Sequence, residues 1–159
     1  MNQKNKGMFL EKILNRTIRV LWENEIAFIE KKSIPISIIS FNKTTDNQVI
    51  SKFKHHKSTV DYIGMYKSKF ICFEAKTTNL DNLPMSNFKE HQIDYLNLIH
   101  NNGGIAFVVV YFSLYNEFYK VSVELIKEHY KQNKSLKYLT VKENSRPLSL
   151  EFPGYLDIV

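Results

Sequence analysis

The chain has 159 residues, 43% hydrophobic and 24% charged, which excludes a disordered polymer and suits one hydrophobic core rather than two. Its one cysteine, Cys72, excludes an intramolecular disulfide and any cysteine-based zinc motif. A formal charge of +6 and a pI near 9.3 suit a polyanionic partner, because lysines bind phosphates by releasing counterions; a basic, lysine-rich proteome would give the same figures.

Residues 8–28 read as an amphipathic helix. Leu10, Ile13, Leu14, Thr17, Ile18 and Leu21 keep helical spacing, and Lys12, Arg16, Arg19 and Glu23 fall largely opposite. No signal peptide is expected, since Met1 to Lys6 is polar and the segment after it is amphipathic. Pro35 argues against further helix, and Ile36, Ile38 and Phe41 alternate with Ser37 and Ser40 as a strand does. Asn42 to Gln48 is a polar turn, and Val49 to Lys57 is a second strand with a basic end. Residues 37–57 could therefore form a projecting hairpin.

Two further strands are expected at Thr59 to Gly64 and Lys69 to Lys76, pairing across a turn at Tyr66 to Ser68. A loop covers Asn79 to Pro84. The next helix starts at a cap on Ser86 or Asn87, with Glu90 in capping-box position after Asn87. It stops at Asn101-Asn102-Gly103-Gly104. Ile105 to Phe112 is continuously apolar, the mark of a strand buried on both faces, and too short to span a bilayer. A strand at Phe118 to Val121, a helix at Ser122 to Lys131 and a strand near Tyr138 to Val141 complete the pattern. With no repeat and no internal linker, this order predicts one domain over residues 1–159, an α/β fold with a mixed sheet covered by helices on both faces. The expected compartment is the cytoplasm, with no membrane partner.

The chemistry concentrates on two of these strands. Side chains alternate along a strand, so Ile71, Phe73 and Ala75 suit the core while Cys72, Glu74 and Lys76 share the opposite face. Antiparallel pairing would bring Asp61 beside Glu74. Two carboxylates and a lysine suit Mg²⁺-dependent phosphodiester hydrolysis. The hard cation takes carboxylate oxygens and substrate phosphate, and polarises the scissile group. The lysine orients water or stabilises charge on the phosphorane. The pattern D-x(n)-E-x-K is that of nucleases written PD-(D/E)xK, with Val60 in place of the proline. It also occurs by chance on solvated strand faces.

Two residues strengthen it. Thr59, two positions before Asp61, would present its hydroxyl to the same site if the segment is a strand. Gln92 lies on the apolar stripe of its helix with Phe88, Tyr95, Leu96 and Ile99, where a buried amide needs a partner; a metal site or plain backbone would serve equally. Glu11 could reach the metal through water, although a solvent-facing Glu near a helix start explains it as well. The histidines, His55-His56 included, show no zinc spacing.

Several blocks in order then resemble one family: Gly7-Met8-x-Leu10-Glu11, Pro35-Ile36, Ser58-Thr59-Val60-Asp61-Tyr62-x-Gly64-x-Tyr66-Lys67, Phe73-Glu74-Ala75-Lys76-Thr77 and Asn87-Phe88-x-x-His91-Gln92. They resemble the RecU Holliday-junction resolvases of low-GC Gram-positive bacteria and mycoplasmas. The resemblance implies a restriction-endonuclease-like core and a homodimer that cuts four-way DNA junctions symmetrically in recombination and repair. It implies Thr59, Asp61, Glu74 and Gln92 as Mg²⁺ ligands, with Mn²⁺ expected to substitute, and Lys76 as transition-state stabiliser. It also implies a stalk at about residues 40–57, in which Lys43, Lys52, Lys54 and Lys57 are this chain's own candidate DNA contacts, and it suggests recombinase or branch-migration proteins as further partners.

The chain departs from the family's pattern at its stalk tip, Asn42-Lys43-Thr44-Thr45-Asp46, which lacks an arginine-rich stretch. The Glu74–Gln92 loop is one residue shorter, the basic amino-terminal extension is nearly absent, and Gln132 to Lys137 lacks a Gly-Gly-Arg element. These departures bear on junction selectivity and grip on the arms, not on hydrolysis. A nuclease of the same core acting on flaps or duplex, and a non-cleaving DNA-binding accessory protein, are the alternatives.

Overall fold

Helix α1 (Gln3–Glu23) buries the stripe its spacing predicts, with Leu10, Ile13, Leu14, Thr17 and Leu21 inside and Lys12, Arg16 and Arg19 outside. The computed structural model describes residues 3–33, 36–43, 49–55, 59–132 and 134–159, without the side chains of 3–6, 36–43 and 49–55. The helix does not continue to Phe28. Glu25 takes a left-handed φ of 55°, and Phe28–Lys31 is a strand, β1. Apolar spacing suits a helix there as well as a strand; the partner strand available to β1 decides.

Strands β2 (Ile36–Lys43) and β3 (Val49–His55) pair antiparallel, with an irregularity between Ile38 and Ser40. The expected hairpin is therefore formed, its first strand beginning at Ile36, one residue before the expected 37. The expected turn at 42–48 begins later, because Asn42 and Lys43 still pair in β2; residues 44–48 and Lys57 lie outside the described residues.

Strand β4 (Tyr62–Tyr66) runs into β5 (Lys69–Thr78) through Lys67 and Ser68, both with positive φ, 44° and 62°. Two left-handed residues are what a type I′ turn requires, and such a turn holds the strand register tightly. Beyond β5 come a short strand β6 (Asn82–Leu83), helix α2 (Glu90–Asn101) and strand β7 (Ile105–Phe112). Then follow β8 (Glu117–Ser122), helix α3 (Val123–Lys131), β9 (Leu136–Lys137), helix α4 (Tyr138–Asn144), β10 (Arg146–Leu148), β11 (Leu150–Glu151) and β12 (Tyr155–Leu156).

The main sheet has the order β1-β4-β5-β7-β8-β10. Only β5 and β7 run parallel in it, and α2 makes the crossover between them. Two cores result. Ile71, Phe73, Phe107 and Val109 pack with α1 on one face, and Cys72, Val108 and Val110 pack with α2, α3 and α4 on the other. The uninterrupted apolar run of β7 thus lies between two helical layers, as its composition requires. Stacked rings tie the central strands together: Tyr62 on Phe73 at 4.6 Å and Phe73 on Phe107 at 5.0 Å. Buried Thr17 accepts the Leu156 N–H at 2.9 Å, fastening β12 to α1.

Two local expectations are corrected. Tyr138 to Val141 is helical: Tyr138 and Val141 are both buried three positions apart, a spacing that suits one helix face rather than alternating strand faces. Ser86 and Asn87 do not cap α2; Met85–Asn87 forms a 3₁₀ turn and the helix starts later, after Lys89. No helix among the described residues is long and apolar enough to cross a membrane.

Candidate active site

The β4–β5 register pairs Tyr62 with Phe73. One step further along the same pairing, Asp61 faces Glu74. The Asp61 backbone N–H donates to Glu74 Oε2 at 3.1 Å, and Asp61 Oδ2 accepts from the Ala75 N–H at 3.0 Å. The two carboxylates are thus locked across the end of a hairpin whose turn specifies the alignment.

Glu74 is buried, at 1% exposure, on the face of the sheet that α2 covers. Lys76, two residues along the same face, donates to Glu74 Oε1 at 2.7 Å, and its ammonium lies 5.2 Å from the centre of the Phe88 ring. Gln92 Nε2 donates to the same Oε1 at 2.6 Å. Gln92 Oε1 in turn accepts the Lys89 backbone N–H at 3.0 Å, so the start of α2 is tied to the carboxylate through one amide. The parallel crossover puts that helix start at the carboxy-terminal end of β5, where open α/β sheets hold their sites.

Burial raises the Glu74 carboxyl from its ordinary 4.5 to about 7; the neighbouring Asp61 charge pushes the same way and Lys76 opposes both. A buried carboxylate beside a second one is a place where positive charge is favoured. Asp61 and Glu74 offer carboxylate oxygens there, Lys76 and Gln92 present nitrogens to Glu74, and among the described residues no group of three or more His, Cys, Asp or Glu side chains gathers to hold a metal ion. This chemistry fits a hard divalent cation that takes a few protein oxygens and keeps water or phosphate for the rest.

The other expected residues are placed less simply. Thr59 to Asp61 precede the strand rather than belonging to it, so the strand-alternation argument for Thr59 does not apply. The Thr59 hydroxyl accepts from Lys32 Nζ at 2.9 Å and hydrogen-bonds the Tyr95 side chain. Glu11 is about half exposed and forms an ion pair with Lys31 of β1, outside the Glu74 network. Lys43, Lys52 and Lys54 fall on the β2–β3 hairpin. His100 pairs with Glu124 at 2.5 Å and His129 Nδ1 contacts the Leu125 carbonyl, which leaves both away from the carboxylates.

Lys32 is the residue that sequence reasoning missed. Its place depends on β1, which the sequence reading leaves unassigned beyond Phe28, the expected end of the first helix. Its backbone N–H donates to the Asp61 carbonyl at 2.7 Å.

A helix-flanked mixed sheet with one central parallel pair, carrying Asp just before one strand and Glu-x-Lys on its antiparallel neighbour, defines the restriction-endonuclease-like class. Comparison with known proteins narrows this. The family model described as "RecU: Recombination protein U" matches residues 5–159. A protein of Mycoplasmopsis pulmonis named Holliday junction resolvase RecU is 36% identical over 159 residues, covering 100% of this chain and 94% of that one. Proteins of the same name are 32% identical in Ureaplasma parvum, covering 99% and 91%, and 33% identical in Bacillus cytotoxicus, covering 98% and 82%. The chain belongs to the RecU family.

Proposed function

We propose that this chain is a Holliday-junction resolvase: a Mg²⁺-dependent endonuclease that works as a homodimer and cuts four-way DNA junctions symmetrically in recombination and repair. The observation that carries the reading is the convergence of three donors on Glu74, namely the Asp61 N–H, the Lys76 ammonium and the Gln92 amide. A carboxylate kept solely for stability gains little from such a desolvated cluster, because burial of charge costs more than most pairings return. A site that must present fixed oxygens to a cation and a phosphate gains orientation.

Hydrolysis joins a water oxygen to phosphorus and breaks one phosphoester bond, with a proton passing to the departing oxygen. Bound Mg²⁺ supplies Lewis-acid polarisation of the phosphate and lowers the pKa of a bound water. Asp61 and Glu74 would hold it, with the Thr59 hydroxyl as a further oxygen donor; Gln92 would join them by turning its amide, whose nitrogen faces Glu74 and whose oxygen accepts from Lys89; Mn²⁺ suits the same donors. Ala75 and Gln92 keep the two carboxylates from rotating. Lys76 offers its remaining N–H groups to a phosphate oxygen as negative charge builds there. A two-fold dimer supplies two such sites, which suits paired cuts. Lys43, Lys52 and Lys54 of the hairpin, together with Lys57, contact backbone phosphates, and recombinase or branch-migration proteins are the expected companions in the cytoplasm.

The deciding experiment compares purified wild type and Asp61→Asn on four-way, flap and linear DNA in Mg²⁺. The expected result is junction cleavage that Asp61→Asn abolishes, with junction binding within a few-fold of wild type. Faster cutting of flaps or duplex would replace this reading with a nuclease of another substrate. Binding without cleavage by the wild type would make the chain an accessory protein.

A further inference from the structure

Three lysines lie on β5 or at the end of β1, and their partners differ. Lys76 is paired with Glu74 and Lys31 with Glu11. Lys32 is half-buried and meets no carboxylate within ion-pair distance among the described residues; its ammonium donates to a neutral oxygen, that of Thr59. An ammonium has three donors, and a charge partly withdrawn from water is costly without a counter-charge. Flexible surface lysines avoid that cost by swinging into solvent. Lys32 is held instead at two points, its backbone on the Asp61 carbonyl and its side chain on Thr59, so its charge stays beside the segment that carries Asp61.

We propose that Lys32 is a second cation of the active site, and that its ammonium contacts a backbone phosphate of the strand being cut. The reasoning rests on the proposed nuclease function, since only a polyanionic substrate brings the missing counter-charge to this position. Lys76 is committed to Glu74 on the sheet face, whereas Lys32 approaches from β1, on the far side of the Thr59–Asp61 segment. The two lysines would then bracket the phosphate backbone. Thr59 serves in this arrangement as the rest that aims Lys32.

The test uses the full chain with Lys32→Ala, Lys32→Gln and Lys32→Arg, alongside wild type. Junction affinity is measured against salt in EDTA, and single-turnover cleavage is measured in Mg²⁺ at saturating protein. Losing one phosphate contact should flatten the plot of log affinity against log salt by about one unit in the Ala and Gln variants. Their cleavage should slow at least tenfold, while Lys32→Arg keeps the wild-type slope. Gln retains a donor for Thr59 without the charge, so full activity and an unchanged slope in Lys32→Gln would overturn the proposal and leave Lys32 as a prop for Thr59. If Lys32→Ala unfolds, as read by circular dichroism, the Gln and Arg variants carry the comparison. A wild type that cuts no DNA would overturn the proposed function and this inference together; a wild type that cuts equally with its Gln variant overturns the inference alone.

Discussion

Gln92 and Glu74, eighteen positions apart, meet at 2.6 Å with the amide nitrogen donating to Oε1. The same amide accepts the Lys89 N–H with its oxygen, so its orientation is set from both ends. Gln92 therefore joins the helix start to the buried carboxylate. Groups that orient metal ligands matter nearly as much as the ligands themselves.

Gln92→Ala should accordingly slow junction cleavage about 10- to 100-fold, the range seen when such supports are removed. Binding in EDTA should change little. A Mg²⁺ titration of the variant adds a distinction: a raised Mg²⁺ requirement would put the Gln92 oxygen on the ion, and an unchanged one would leave it as the support of Glu74. Wild-type rates would contradict both roles.

The raised Glu74 carboxyl makes the metal-free protein sensitive to pH. Its folded form holds the proton up to about 7, whereas an ordinary glutamate releases it near 4.5. Between those values the folded state binds more protons than the unfolded state, so stability falls as pH rises, and the loss is complete above 7. The cost reaches at most about 3 kcal/mol at 1.36 kcal/mol per unit. Thermal melts in EDTA at pH 5 and pH 8 should show the wild type losing more stability than Glu74→Gln, which has no charge to bury. Mg²⁺ at pH 8 should raise the wild-type melting temperature more than that of Glu74→Gln. Equal pH slopes would contradict the burial argument.

Gly64 sits where β4 meets β1, and a Cβ there would lie 2.0 Å from the Phe28 carbonyl oxygen and 2.7 Å from Ile29 Cα. Both are backbone atoms that cannot swing aside. Gly64→Ala should destabilise the fold by about 1–3 kcal/mol or more, the range for overpacking. Because β1 ends in Lys31 and leads into Lys32, cleavage should fall with it. Urea denaturation measures the first effect; a midpoint equal to wild type would show that β1 shifts freely.

Replacing Lys43, Lys52, Lys54 or Lys57 singly by alanine should weaken junction binding across DNA sequences. Each substitution should flatten the salt dependence by about one unit where the lysine contacts a phosphate. Cleavage at saturating protein should be affected far less than in Lys76→Ala. An unchanged slope would remove that lysine from the DNA path.

Local patterning in the sequence decided much of this molecule. The α1 stripe, the alternation of Ile71, Phe73 and Ala75 against Cys72, Glu74 and Lys76, and the doubly buried run of β7 are all local periodicities, and each maps onto one element. The pairing of Asp61 with Glu74 was legible too, because the two segments are joined by a short turn. Three features depended on tertiary contact. Strand β1 exists because β4 offers it a pairing edge, although its apolar spacing suits a helix equally. Helix α4 and the small strands near the carboxy terminus have too few residues for periodicity to distinguish them.

Lys32 belongs with those features: its meeting with Thr59 spans 27 positions and requires β1 to be in place. The sequence by itself determined which residues could perform the chemistry and which face of the strand carries them, since a period of two needs only neighbours. The tertiary structure alone decided how Glu74 is held, by an amide from the helix that crosses back over the sheet. It also decided that a second lysine stands beside Asp61. Such contacts join segments distant in sequence, and no local pattern encodes their geometry.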